Sequence, residues 1–109
     1  MSARYDLQKS KSDTQFYWNL KAGNNEKILT SQMYASKEGA LTGIASCHTN
    51  SPDDTKFERK SGDGGPYFVL KAANGEIIGK SESYSSASAM ETGIASVKAN
   101  GKAPTEDNS

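Results

Sequence analysis

The chain repeats itself. Residues 17–50 laid over residues 67–100 align without a gap at an offset of 50, and 16 of the 34 pairs are identical. The matches include Leu20/Leu70, Lys21/Lys71, Ile28/Ile78, Tyr34/Tyr84 and the whole of Thr42–Ser46 over Thr92–Ser96. A duplicated unit this short cannot bury its own apolar faces, so two copies must fold against each other. At 109 residues the chain is the usual size for one domain with one core. We therefore read residues 1–109 as a single domain of two repeats, 4–50 and 56–100. Residues 50–55 join them, and residues 101–109 form a disordered tail.

Each copy has the same local pattern. Tyr5 to Lys9 alternates apolar and polar residues as a half-buried strand does, and Phe57 to Lys60 is its weaker counterpart. Turn residues follow at Lys11-Ser12-Asp13-Thr14 and Ser61 to Gly65. The next strands, Phe16–Ala22 and Pro66–Ala72, put Trp18/Phe68 and Leu20/Leu70 on one face and Tyr17/Tyr67 and Lys21/Lys71 on the other. Asn74-Gly75 is a type I′ hairpin signal, and Asn24-Asn25 suits the same turn. Third strands are expected over Lys27–Met33 and Ile77–Ser83, where the spacing to Tyr34 and Tyr84 leaves room for a bulge compatible with Gly79.

The period then changes to that of a helix. Ala87, Met90, Ile94 and Val97 make one apolar stripe, and Lys37, Ala40, Ile44 and Cys47 repeat it with Lys37 as the exception. Ser36 and Ser86 are placed as N-caps, and Asn50 and Asn100 suit a left-handed stop. Gly43 and Gly93, mid-helix, cost about 1 kcal/mol each relative to Ala, which points to a close approach there. The expected fold is α+β: a tandem βββα repeat forming one six-stranded antiparallel sheet, with both helices on one face and pseudo-twofold symmetry.

With these residues the sequence resembles the bacterial YegP-like family of small proteins. The resemblance rests on Pro66-Tyr67-Phe68, Leu70 to Ile78, Tyr84 and Gly93 to Val97, and it extends over roughly residues 4–100 of both copies. Copy one departs at Gly23-Asn24-Asn25-Glu26 and at Cys47-His48, where copy two has Val97-Lys98. The resemblance implies an α+β domain whose tandem or dimeric units share a sheet. It brings no activity with it.

The residues themselves give little chemistry. Cys47 and His48 are neighbours on a helix, about 100° apart, and no second Cys or His completes a ligand set. The Gly-rich Ser61 to Pro66 leads into a strand, whereas a phosphate loop needs a helix N-terminus behind it. Asp53, Asp54 and Glu58 read as solvated surface, and Ser36 and Ser86 as caps beside a packed Tyr. No metal or cofactor is expected. Charge is balanced at 13 basic and 13 acidic residues, which argues against nonspecific nucleic-acid binding. One cysteine, no signal-like start and no long apolar run suggest a cytoplasmic protein with no membrane role, and a monomer by default.

That leaves the sheet face turned away from the helices. Tyr17, Lys21, Tyr67 and Lys71 recur there, and aromatics flanked by lysines can stack bases or grip a partner. The expected function is a small non-enzymatic binding or interaction module that takes a protein or nucleic acid on this face. The alternative is a small-ligand binder or enzyme with its site between the helices and the sheet.

Overall fold

The computed structural model describes residues 3–11 and 14–109; the turn read at Ser12 and Asp13 lies outside them. The first copy supplies β1 (Arg4–Lys9), β2 (Phe16–Lys21), β3 (Lys27–Ser31) and α1 (Lys37–Asn50). A short 3-10 turn, Asp54–Lys56, leads into β4 (Phe57–Gly62), β5 (Gly65–Lys71), β6 (Ile77–Lys80) and α2 (Ala87–Asn100). A last strand, β7, spans Thr105–Asp107.

The strands form one sheet in the order β4-β5-β6-β3-β2-β1-β7. Copies meet where Thr30 on β3 faces Lys80 on β6, its own counterpart 50 positions on, in antiparallel register. An approximate two-fold axis therefore runs between these two residues. The single core holds both helix stripes, Ala40, Ile44 and Cys47 with Met90, Ile94 and Val97, against inward residues of both copies such as Tyr5, Trp18, Leu20, Phe57, Phe68 and Leu70. Both helices thus lie on the same face. Each reaches over the other copy, α1 onto β5 and β6, α2 onto β3.

The expected six-stranded antiparallel sheet is corrected by β7. The tail read as disordered instead pairs in parallel with β1, Tyr5 facing Thr105 and Leu7 facing Asp107. Tyr5 donates its backbone N–H to the Pro104 carbonyl at 2.9 Å, and Asn108 donates to Leu7 at 2.8 Å. The Tyr5 hydroxyl reaches the Gly101 carbonyl at 2.7 Å, and Lys37 pairs with Asp107. A strand edge left bare exposes unpaired N–H and C=O groups, and the tail satisfies those of β1. The sheet is mixed, and β7 breaks its symmetry.

Local departures have local causes. The third strands end early because the Ser31 hydroxyl accepts the Trp18 N–H at 2.9 Å and donates to Gln32 at 2.8 Å. Ser81 does the same between Phe68 and Glu82. The bulge falls at Ile28 and Ile78, where the register shifts, and not at Gly79. Gly79 makes room for Leu29, whose Cγ lies 2.9 Å from where a Cβ would sit. The hairpin turns are not type I′, since only Asn25 (φ 71°) and Gly75 (φ 85°) are left-handed and Asn24 and Asn74 are not. Asn24 and Asn74 instead accept the N–H of Glu26 and Glu76, each at 3.0 Å.

Both N-caps form as expected, Ser36 accepting from Gly39 and Ser86 from Ala89 at 3.0 Å. The helix stops are not left-handed: Ser51 and Gly101 stay in the right-handed region. Asn50 and Asn100 turn their amides back to the carbonyls of Ser46 and Ser96 at 2.8 Å. The mid-helix glycines accommodate tyrosines. A Cβ on Gly43 would stand 2.2 Å from the Tyr34 hydroxyl, and one on Gly93 the same distance from that of Tyr84.

Candidate interaction surface on the open sheet face

Alternation along the strands sends every second side chain away from the helices. Register then lines these up in one row across the sheet: Glu58, Val69, Lys80, Thr30, Asn19, Asp6 and Glu106. Tyr17 stands opposite Gln8 in the row on one side of it, and Tyr67 opposite Lys60 in the row on the other side. Lys71, opposite Ile77, lies on the same side of the central row as Tyr17, and Lys21, opposite Lys27, on the same side as Tyr67. All four residues expected from the sequence are on this face and half-buried. Tyr17 and Tyr67 are three strand spacings apart across the sheet and four residues apart along it, about 20 Å in all.

Neither lysine is a free cation. Lys21 contacts the Asp6 carboxylate at 3.0 Å, and Lys71 contacts Glu58 at 2.5 Å. Lys60 holds the other Glu58 oxygen at 2.7 Å. Asp6 is only 6% exposed although no helix covers it, because long neighbours close over it. It accepts from Gln8 at 2.9 Å and from Asn108 at 2.7 Å besides Lys21. Burial raises the Asp6 pKa, but these three donors outweigh it and hold the carboxyl below its ordinary range. Hydrogen bonds from Lys60 and Lys71 hold Glu58 down at about 2.

The sequence reading missed Lys80 and the carboxylates. Lys80 has no carboxylate partner among the described residues, and its ammonium lies 4.9 Å from the centre of the Tyr67 ring. Such a contact is worth about 0.5–1 kcal/mol at an exposed site. Alternation alone would have found Asp6 and Lys80 as face residues; their pairing needed the register. Asn19 and Val69, 6% and 3% exposed, complete a face of mixed charge with buried patches between the ions. Thr30 and Asn19 tie β3 to β2 there by a 2.7 Å bond.

The remaining sequence candidates are structural. Cys47 is buried against Tyr5 in the core, and burial pushes its thiol up to about 11, away from nucleophilic reactivity. His48 turns aside, stacking on Tyr5 and meeting the Ala103 carbonyl at 3.0 Å. Asp54 binds Arg59 at 3.1 Å and Lys98 at 2.5 Å, which pins the join to β4 and α2. Asp53 caps the 3-10 turn by accepting from Thr55. Among the described residues, no helix is long and apolar enough to cross a membrane.

Known proteins share this architecture. Residues 11–58 and 61–107 each match the family described as "Domain of unknown function (DUF1508)". That phasing takes β2, β3 and α1 into one unit and β5, β6, α2 and β7 into the next, and divides β4 between them. The UPF0339 protein YegP of Escherichia coli (strain K12) is 53% identical over 65 residues, 60% of this chain and 58% of that protein. A UPF0339 protein of Shewanella oneidensis is 51% identical over 60 residues, covering 55% of this chain and 54% of its own length. The sequence matches thus span a little over half the length of these curated relatives. The solution NMR structure of yegP from E. coli, titled a protein of unknown function, superposes with a TM-score of 0.91 at 51% identity. It covers 99% of this chain and 94% of that one. The UPF0339 structure from Shewanella oneidensis gives 0.90 at 50% identity, covering 98% and 92%. The chain belongs to the DUF1508 family, and carries its domain twice.

Proposed function

We propose that the protein is a non-enzymatic interaction module whose open sheet face docks a polypeptide. The reading rests on Tyr17, Tyr67 and Lys80, two aromatics and an ammonium with no carboxylate partner among the described residues, on a face that neither helix covers. Tyrosine supplies large contact area with few rotors to freeze, which suits it to interfaces. Nucleic acid fits less well. Its affinity comes from unpaired basic charge, and Lys21, Lys60 and Lys71 already satisfy carboxylates on the same face. A polypeptide of mixed charge can exchange those ion pairs without leaving Asp6 or Glu58 unpartnered. The active species is a monomer, in which the second repeat supplies the other half of the sheet.

The test is a chemical-shift titration of the full chain with single-stranded DNA, RNA and fractionated bacterial protein. Shifts at Tyr17, Lys21, Tyr67 and Lys71 with a protein fraction and not with nucleic acid are expected. Nucleic-acid shifts at the same residues would reassign the partner. An unmoved face in all three would sink the proposal.

A further inference from the structure

A second feature lies on the opposite side of the sheet. Between α2 and the β2–β3 turn is a cavity of about 510 Å³, within the range of small-ligand sites. Ile28 and Tyr84 line it, Thr92, Gly93 and Ser96 form the helix side, and Glu26 stands at the turn. The turn belongs to one repeat and the helix to the other. Of its nine lining positions, eight carry the same residue in the other copy, the exception being Ala89 against Gly39. The other 25 aligned pairs share only eight identities. Half of what the repeats have in common is concentrated in this groove.

The same lining recurs about the two-fold axis. Tyr34 lies over Gly43 as Tyr84 lies over Gly93, and the charge of Glu76 acts on the Tyr34 hydroxyl as that of Glu26 acts on Tyr84. Folding explains several of the shared residues: the Asn that closes the turn, the core Ile, and the Tyr and Gly that interlock. It does not explain the carboxylates. Glu26 and Glu76 meet no lysine or arginine among the described residues, and Glu26 has only the Asn24 amide, at 3.3 Å. The Tyr84 hydroxyl has no hydrogen-bond partner among them either. Thr92 spends its proton on the Ser88 carbonyl and offers only lone pairs. No basic side chain lines the cavity. An adjoining hollow adds Glu82 together with one cation, Lys27.

An acceptor-lined, partly apolar groove with a spare carboxylate suits a donor-bearing cation. We propose that the two grooves are paired binding sites for a primary ammonium group on an apolar or aromatic stem, carried by a free amine or by a lysine side chain of a peptide. This site is independent of the open face and stands or falls separately. Because Glu82 has only Gln32 as its counterpart, the groove at α2 is the tighter of the two.

The experiment is a chemical-shift titration of the full chain with 2-phenylethylamine, its neutral isostere 2-phenylethanol, and N-acetyl-lysine methylamide. Amine-dependent shifts are expected at residues 22–28 and 92–96 and at their counterparts 50 positions away. The amine should bind at least tenfold tighter than the alcohol. In Glu26→Gln/Glu76→Gln, with the rest of the spectrum unchanged, that preference should vanish. Tighter binding of the lysine derivative than of the free amine would identify a peptide side chain as the source; the reverse order would identify a small amine. Unmoved grooves would overturn the site. Equal affinity for amine and alcohol, or a preference that survives the double variant, would overturn the ligand class.

Discussion

At the residue scale, the interlocked Tyr34–Gly43 and Tyr84–Gly93 pairs leave no room for a side chain on either glycine. Helix propensity alone would make Gly93→Ala stabilising by about 1 kcal/mol. The added Cβ would instead meet the Tyr84 hydroxyl and ring, and overpacking of this kind costs about 1–3 kcal/mol. Net destabilisation in urea melts is the expected outcome, relieved in part by Gly93→Ala/Tyr84→Phe; a stabilised single variant would contradict the packing described. Asp6 and Glu58 set the acid limit. Both have folded pKa values below the ordinary one, so their contribution is full above the ordinary carboxylate range and fades as pH falls. For Glu58 the window runs from 4.5 down to about 2. Thermal melts should therefore be flat from pH 7 to 5 and drop below 4, with Asp6→Asn costing about 1–2 kcal/mol at pH 7 through its lost charged hydrogen bonds. Much at this scale was readable, including Ser36 and Ser86 as caps and a close approach at Gly43. The turn geometry was not, because Asn24-Asn25 suits several turns and only the distance between β2 and β3 selects one.

Among elements, β7 is the most informative. Thr105-Glu106-Asp107 is short, polar and exposed, with no alternation to mark a strand. Its extended form comes from what it pairs with, the bare edge of β1, and no propensity of its own announces that. The helices and first strands were legible for the opposite reason, since their stripes and alternation meet a core directly. The third strands lay between these cases: their apolar content was plain, but Ser31 and Ser81 end them through side-chain bonds to β2 and β5. Removing residues 102–109 is expected to cost about 2–3 kcal/mol, from a few backbone hydrogen bonds at roughly 1 kcal/mol each. It should also raise self-association in light scattering, because the β1 edge becomes open to another chain. A truncated chain as stable and as monodisperse as the whole would contradict the role given to β7.

For the whole molecule, the repeat is best described as interleaved. The two copies share one core, and each helix packs on strands of the other. The Cα radius of gyration, 13.1 Å, is that of a compact chain of this length. One cooperative unfolding transition is expected by fluorescence and circular dichroism together, and residues 1–53 alone should not fold. The open face could be located from the sequence because strand alternation fixes which side each residue takes. Its charge state could not be, since Lys21 and Lys71 find Asp6 and Glu58 only through cross-strand register. The same limit hid the grooves: the walls of the one at α2 come from segments about 60 residues apart, and those of its counterpart from segments about 35 apart. The central functional claim is that the open face docks a polypeptide through its two tyrosines. The direct measurement compares the immobilised chain with Tyr17→Ala/Tyr67→Ala, quantifying each captured protein, after circular dichroism has shown both chains folded. At least a tenfold loss of a specific captured polypeptide is predicted for the double variant; equal capture by the two chains would contradict the claim.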